Sequence, residues 1–505
     1  MKLNYKRTLL VGFAFFLISV FWQAYDSIVP KILTDKFGMS QLWSGVVMAL
    51  DNVLAVFMLP IFGALSDKSR SKRGKRTPFI LVGTIIAAVA FISLSVADNM
   101  QLARIEQIAA VTQTDGAERD SAMETLYESD VKISVGEAKG QNLSKVITKD
   151  EFMKLGPSDE YVVAARQAYA ANRVSAAPYT LFLFLGLLLI VLVSMATFRS
   201  PAVALMPDVT PRPLRSKGNA IINLMGTAGG ILVLVLGIVF GTGKVANSLM
   251  SYTTFFVVTA GIMLVALVIF MLTVKEPLWS AEADKINQTL EAEQNDDSTD
   301  ARLDRKKLMS LLFILASVVF WFMGYNAVTS KYSVYAGEVL GLDYNLTLIV
   351  AQAAAVVAYL PVGMVASKIG RKKTIIAGVI MLGTAFALAS FMRNGSNIWV
   401  MNALFALAGV GWATINVNSY PMVVELARGS NVGRYTGYYY TASMSAQIIT
   451  PVLSGAFLTH VGMTTLFPYA AIFVAFALVT MQFVKHGDSK PAPKKDILEN
   501  LDIDD

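Results

Sequence analysis

Long apolar runs separated by short polar segments dominate the chain. A helix needs about 20 apolar residues to cross the hydrocarbon core of a bilayer. The pattern therefore predicts twelve membrane-spanning helices. They cover roughly 8–30, 43–65, 78–98, 178–206, 216–241, 253–274, 308–336, 345–366, 374–392, 397–424, 434–459 and 464–485.

Two polar segments interrupt this pattern. The stretch 275–307 divides the spans six and six and is charged, which predicts a solvated linker with a helical part. The stretch 99–177 has no spanning run and carries an excess of acidic residues. We expect an external insert containing amphipathic helices, either a tolerated cap or a lid or partner-binding element.

These two polar segments set the predicted domain boundaries. The domains are 1–98 (helices 1–3 of the N-terminal bundle), 99–177 (extracytoplasmic insert), 178–274 (helices 4–6), 275–307 (cytoplasmic linker), 308–485 (C-terminal bundle, helices 7–12) and 486–505 (cytoplasmic tail).

One sequence phrase occurs in the first span of each half. Phe21-Trp22, Tyr25-Asp26 and Lys31 match Phe320-Trp321, Tyr325-Asn326 and Lys331. Duplicated halves with aligned landmarks are typical of transporters whose substrate site lies between two bundles. We therefore predict an all-α membrane protein with two pseudo-symmetric six-helix bundles.

Composition supports a membrane protein and excludes several function classes. Hydrophobic residues make up 55% of the chain and charged residues 16%, whereas soluble domains carry about 25% charged residues. The net charge of +7 comes from loop lysines and arginines, so it does not indicate nucleic-acid binding. The chain has no cysteine, two distant histidines, no phosphate-binding loop and no catalytic constellation. We expect no enzyme activity, no metal site and no cofactor.

The distribution of lysine and arginine predicts the orientation. The loop 67–76 is strongly basic, and loops after the fifth, ninth and eleventh spans carry little charge. By the positive-inside rule, both termini are expected to be cytoplasmic. The basic N-terminus leads directly into the first span, which we interpret as a membrane helix and not a cleaved signal. The expected location is the plasma membrane, as in a bacterial inner membrane.

Two acids and one arginine fall within apolar runs. An ionised side chain at a helix centre costs about 2.5–3.5 kcal/mol on insertion, so it needs a partner, a cavity or a function. Asp26 and Asp51 lie at similar depth on antiparallel helices and could face one cavity, where they are candidates for proton coupling. Alternatively, each acid lies at a helix end beside water, Lys31 or Lys36. Arg199 either pairs with an acid or solute, or extends to the interface.

A sugar site needs aromatic faces for the ring and amide or carboxylate groups for its hydroxyls. The candidates are Trp22, Gln23, Tyr25, Asp26, Asn52, Arg199, Asn219, Asn223, Trp321, Tyr325, Asn326, Gln352, Trp412, Asn416 and Gln447. Asn219 and Asn223 share a helix face, as do Trp412 and Asn416. For about half of the set, the alternative is a hydrogen bond between helices.

The loop after the second span resembles a known family signature. Its sequence, Gly63-Ala-Leu-Ser-Asp-Lys-Ser-Arg-Ser-Lys-Arg-Gly-Lys-Arg-Thr-Pro-Phe-Ile, is similar to that of the major facilitator superfamily. The end from Arg73 looks like the version in sucrose and proton–sugar symporters and in glycoside–pentoside–hexuronide:cation symporters. The resemblance implies the major facilitator fold and secondary active transport by a functional monomer. Where melibiose-type sodium symporters carry two acids, this chain has Ala55 and Leu59, which favours protons over sodium.

Charged residues near the ends of spans are candidates for gating. Asp67 can accept bonds from a facing helix N-terminus or from arginine, and Ser367 replaces it in the second half. The candidate gating residues are Asp67, Arg73, Arg76, Asp208, Lys217, Glu425 and Arg434. Asp208 precedes Lys217 by the same spacing that separates Glu425 from Arg434.

These observations together predict a proton-coupled sugar symporter with a small-molecule substrate and a lipid environment. One alternative is a proton-coupled exporter of lipophilic compounds, which needs a larger and more apolar cavity. The other is a membrane sensor in which the insert binds a ligand.

Overall fold

The structure is a computed structural model that describes residues 3–133, 140–211, 215–292, 305–424, 426 and 432–486. The first three membrane helices are α1 (Tyr5–Lys31), α2 (Gln41–Asp67) and α3 (Thr77–Arg104). The insert contains α4 (Ala117–Glu128), α5 (Leu143–Val146), α6 (Lys149–Phe152) and α7 (Glu160–Ala176). Three membrane helices follow, α8 (Tyr179–Val209), α9 (Arg215–Phe240) and α10 (Thr253–Thr273).

The second half repeats this arrangement without an insert. After the linker helix α11 (Glu276–Ala292) come α12 (Arg305–Tyr335), α13 (Tyr344–Ile369), α14 (Arg371–Ala389), α15 (Ile398–Val424), α16 (Val432–His460) and α17 (Leu466–Gln482). Among the described residues, eleven helices are long and apolar enough to cross a membrane, and α13 contributes a shorter apolar stretch, Tyr344–Tyr359. The predicted all-α fold of two six-helix bundles is confirmed.

Each bundle has its own hydrophobic core. Phe21, Phe91 and Phe256 are fully buried in the first core, and Trp321 and Phe467 are fully buried in the second. Aromatic side chains fill both cores because a large ring buries more surface than any aliphatic group.

The helices α1 and α12 end in the same unusual way. A π-helical turn, Ile32–Lys36, extends α1, and a second one, Ala336–Leu340, extends α12. These matched turns define one side of the molecule, called here the insert side because α4–α7 lie on it. The opposite side, which carries the basic loop 67–76 and α11, is called the linker side.

The third helix runs beyond its predicted end at 98, to Arg104. Two of its polar residues, Asp98 and Gln101, are buried and paired: Lys36 Nζ lies 2.6 Å from Asp98 Oδ1, and Gln101 donates to the carbonyl oxygen of Lys36 at 2.8 Å. The apolar pattern ends at the first of these polar residues. The helix continues beyond it because the protein supplies hydrogen-bond partners for their side chains.

The insert has a small core of its own and is joined to the first bundle. Ile108, Met123 and Phe152 are fully buried in this core together with Leu249, which comes from the loop between α9 and α10. Thr112 also donates a hydrogen bond of 2.9 Å to the carbonyl oxygen of Ala246 in that loop.

The linker helix α11 packs against the first bundle. The Glu276 carboxylate is buried and accepts hydrogen bonds of 2.8 Å from the backbone N–H groups of Arg76 and Thr77, at the start of α3. Trp279 is also buried. This part of the linker is therefore less solvated than its charge predicts, because Glu276 satisfies N–H groups that a helix start leaves unpaired.

The two bundles touch closely on the insert side. A Cβ atom on Gly45 would lie 1.9 Å from the carbonyl oxygen of Pro451, and one on Gly455 would lie 2.3 Å from that of Gln41. Lys331 donates to the same Gln41 oxygen at 2.9 Å. The helices α2 and α16 therefore meet through their backbones, which only glycine permits at this distance.

Candidate functional site

A cavity of about 1020 Å³ lies between the two bundles. On its insert side, Gln352 of α13 donates a hydrogen bond of 2.7 Å to Gln23 of α1, and Thr242 lies 2.9 Å from the hydroxyl of Tyr344. Both contacts join the first bundle to the second. In the other direction the cavity wall includes Pro207 and Tyr440, near the linker-side ends of α8 and α16. The cavity is therefore closed on the insert side and extends toward the linker side.

The first bundle supplies the charged part of the wall. Asp26 of α1 and Arg199 of α8 line the cavity, and the Arg199 guanidinium lies 5.3 Å from the centre of the Trp22 ring. Asp51 of α2, predicted to face the same cavity, is not among the residues that line it. It interacts electrostatically with both Asp26 and Arg199, and its carboxylate accepts a hydrogen bond of 2.8 Å from Asn52. Arg199 therefore faces the cavity, and the alternative that it extends to the interface is wrong.

The second bundle supplies an aromatic and amide wall. The rings of Tyr325 and Trp412 are stacked, with centroids 3.6 Å apart and an interplanar angle of 2°. Phe322 packs edge-on against Trp412 at 5.2 Å. Asn416 lies one helical turn from Trp412 and hydrogen-bonds with Tyr359. This wall offers flat apolar faces beside groups that can exchange hydrogen bonds with a solute.

Most of the predicted site residues meet at this cavity. Those that line it are Trp22, Gln23, Asp26, Arg199, Asn223, Tyr325, Asn326, Gln352, Trp412, Asn416 and Gln447. They come from seven helices, three in the first bundle and four in the second.

Three candidates lie elsewhere. Tyr25 and Trp321 are buried in the cores of their bundles, and Asn52 lies beside Asp51, outside the cavity wall. The placement of Trp321 corrects the sequence alignment. Tyr25 and Tyr325 are 300 positions apart but Trp22 and Trp321 are 299 apart, so Phe322 takes the place in the cavity wall that matches Trp22. The side chain of Asn219 lies outside the described residues.

The predicted gating residues divide into two groups. Arg76 Nη2 lies 2.5 Å from Asp67 Oδ1, and Arg76 Nε lies 2.8 Å from Asp208 Oδ2. Burial lowers the pKa of Arg76, but the hydrogen bond to Asp208 and the charges of both carboxylates outweigh it and raise this pKa above its ordinary value. This cluster joins the ends of α2, α3 and α8 within one bundle.

The remaining gating candidates are Arg73, Lys217, Glu425 and Arg434. Asp208 pairs with Arg76 because α3 begins beside the end of α8. Arg73 is exposed in the loop. The side chains of Lys217, Ser367, Glu425 and Arg434 lie outside the described residues.

The sequence interpretation missed several polar residues of the wall. Ser19, Thr227, Tyr359 and Ser443 line the cavity. Ser19, Thr227 and Ser443 lie four positions from Gln23, Asn223 and Gln447, respectively, and Tyr359 lies seven positions from Gln352. Such spacings place residues on one helix face, so extending each predicted residue by one or two turns would have found them. In the described part of the chain, no group of three or more acidic or histidine side chains could hold a metal ion.

Two family models match the chain, and both describe major facilitator transporters. The model of the Major Facilitator Superfamily matches residues 165–358 and 344–500, and a model described as MFS/sugar transport protein matches residues 10–112. No curated protein matches the chain.

Solved structures share the fold at low sequence identity. The inward-open conformation of the xylose transporter XylE from E. coli is 14% identical, with a TM-score of 0.56 and 99% of each chain covered. A mutant of the nucleoside transporter NupG is 13% identical, with a TM-score of 0.55, 95% of this chain and 100% of that chain covered. A POT family transporter in complex with 5-aminolevulinic acid is 10% identical, with a TM-score of 0.60 and 95% of each chain covered.

Proposed function

The chain belongs to the major facilitator superfamily of membrane transporters, which are not enzymes, and on that premise we propose that it is a proton-coupled sugar symporter. The two bundles rock around the central cavity and expose it alternately to each side of the membrane. The insert side faces the exterior, and the linker side, with both termini, faces the cytoplasm of a bacterial cell. The protein works as a monomer in the plasma membrane.

One observation carries this proposal: the cavity has a charged wall and an aromatic wall that face each other. The carboxyl groups of Asp26 and Asp51 lie close to Arg199 on the first bundle. A carboxyl group in such a place can exchange a proton with the cavity and then release or hold Arg199 according to its charge.

The opposite wall suits a sugar. The C–H faces of a sugar ring can pack on Trp412 and Tyr325, and its hydroxyls can exchange hydrogen bonds with Asn326, Asn416 and Gln447. The proposed division gives proton coupling to the first bundle and most substrate contacts to the second. The family match described as MFS/sugar transport protein supports this substrate class.

The test is uptake by purified protein in liposomes under an imposed pH gradient, inside alkaline, with a panel of radiolabelled mono- and disaccharides. At least one sugar should accumulate above its equilibrium level, and dissipating the gradient should remove the accumulation. Asp26→Asn should abolish accumulation but retain exchange of the same sugar between the two sides, because binding survives when the titrating group is lost.

The matched control is Asp115→Asn, which removes an exposed acid of the insert and should leave accumulation unchanged. Accumulation by Asp26→Asn at the level of the unmodified protein would refute the coupling role. Gradient-driven movement of lipophilic cations or dyes with no sugar flux would instead identify an exporter, and the amide and aromatic wall would then need another explanation.

A further inference from the structure

The matched π-helical turns each carry an acid, and both acids face the insert. Asp35 lies in the turn that extends α1, and Glu338 lies in the turn that extends α12. Asp35 is buried and Glu338 is half-buried. The two acids belong to different bundles, so any element that contacts both of them spans the boundary between the bundles.

Adjacent residues of α7 make these contacts. Arg166 Nη2 donates to Asp35 Oδ1 at 2.9 Å, and both side chains are almost completely buried. Gln167 Nε2 donates to Glu338 Oε1 at 2.6 Å. A buried pair such as Arg166 and Asp35 is costly to separate, so it fixes α7 on the end of α1 and directs the next side chain toward the second bundle.

The insert itself belongs to the first bundle. Gly38, in the loop between α1 and α2, has a φ of +64°, and a Cβ atom there would lie 2.2 Å from the carbonyl oxygen of Gln167. Arg104 of α3 donates to the carbonyl oxygen of Ala177 at 2.6 Å. Rocking of the bundles would leave these contacts intact, whereas the bond from Gln167 to Glu338 must break when the insert side opens.

We propose that the insert is a strap which latches the transporter closed on the insert side through the hydrogen bond between Gln167 and Glu338. The pair of Arg166 and Asp35 positions the strap, and the latch favours the state in which the cavity extends toward the linker side. This inference concerns the conformational equilibrium, so it holds for any transported solute and does not depend on proton coupling or on sugar.

The natural absence of cysteine makes a direct test possible. Ser333 is a suitable reporter position because it is buried and lies one helical turn from the cavity residue Thr329 toward the insert side. Within the described part of the chain, its hydroxyl has no hydrogen-bond partner. The measurement is the rate at which a membrane-impermeant maleimide, added to intact cells, labels the Ser333→Cys chain. A separate Glu118→Cys chain, exposed on the insert, should label rapidly and confirms which side the reagent reaches.

In the Ser333→Cys background, Gln167→Ala and Glu338→Ala should each raise the labelling rate about tenfold, which is within the range for the loss of one hydrogen bond. The two changes combined should have no more effect than either alone, because they remove the same interaction. Gln113→Ala, an exposed glutamine of the insert, should leave the rate unchanged. Gln167→Glu keeps the size of the side chain but places a second carboxyl group against Glu338, so it should also raise the labelling rate.

Three results would overturn the proposal. The first is an unchanged labelling rate in Gln167→Ala, Glu338→Ala and Gln167→Glu. The second is an equal rise in Gln113→Ala, and the third is an effect of the two alanine changes that adds in full. If no sugar is taken up but the labelling rates change as predicted, only the proposal that the substrate is a sugar is refuted.

Discussion

The buried pair of Lys36 and Asp98 gives the sharpest prediction on stability. Lys36 Nζ lies 2.6 and 2.8 Å from the two carboxylate oxygens of Asp98 and 2.6 Å from the carbonyl oxygen of Met250. Neither side chain of the pair has any exposed surface. Asp98→Asn removes the negative charge at nearly constant shape and takes away the carboxylate that is hydrogen-bonded to the buried ammonium group.

The magnitude follows from two opposing effects. At 2.6 Å and an effective dielectric constant near 20, the attraction between the charges is about 6 kcal/mol. Burial of the two ions costs several kcal/mol for each of them, so the intact pair contributes little compared with apolar residues, but its disruption costs about 3–5 kcal/mol. We therefore expect Asp98→Asn to lower the free energy of unfolding by about 3 kcal/mol or more, and the double change Lys36→Met with Asp98→Leu to restore most of the loss.

The assay is unfolding by increasing sodium dodecyl sulfate in mixed micelles, followed by tryptophan fluorescence, with Asp115→Asn as the exposed control. The unmodified chain and the control should unfold at the same detergent fraction, and Asp98→Asn should unfold at a clearly lower one. A destabilisation below about 1 kcal/mol, the usual value for an exposed pair, would refute the reasoning. So would a double variant that is less stable than Asp98→Asn.

Three further predictions use other parts of the molecule. Gly45→Ala should speed labelling of the Ser333→Cys reporter from the insert side, since its new methyl group meets a backbone oxygen, whereas Gly186→Ala, with open space around it, should have no effect. Arg76→Ala should lower the free energy of unfolding by about 1–2 kcal/mol, because the bonds of the buried guanidinium are lost while water can solvate the partly exposed carboxylates of Asp67 and Asp208, as sodium dodecyl sulfate titration would measure. Trp412→Ala should weaken binding of the transported sugar at least tenfold in a competition assay, because the solute loses a stacking face.

The sequence predicted the membrane helices well because lipid imposes a simple rule. Every spanning segment must be a long apolar helix whose backbone groups bond to one another. Such a segment can be recognised from the types of its residues alone, without knowledge of the packing. The same rule made internal polar residues informative, so Asp26, Arg199 and Asn416 could be placed near a common cavity before any helix was packed. The motif repeated in the first span of each half predicted the two bundles.

The failures come from contacts between residues that are far apart in sequence. Trp321 looked equivalent to Trp22, but one extra position between the tryptophan and the tyrosine of the second phrase rotates it from the cavity face into the core. Arg76 pairs with Asp208 because two helix ends meet, which no local spacing records. The docking of α7 on both bundles was equally invisible, since it depends on where a polar segment returns to the membrane surface.

The glycine contacts between α2 and α16 affect the entropy lost when the insert side closes. Gly45 and Gly455 meet the backbones of Pro451 and Gln41 directly, so these two contacts immobilise no side chain of their own. Each rotamer-rich side chain that is held still costs up to about 2 kcal/mol of entropy. Contacts between main chains avoid this cost, so closure at these two positions loses less conformational entropy than contacts between long side chains would.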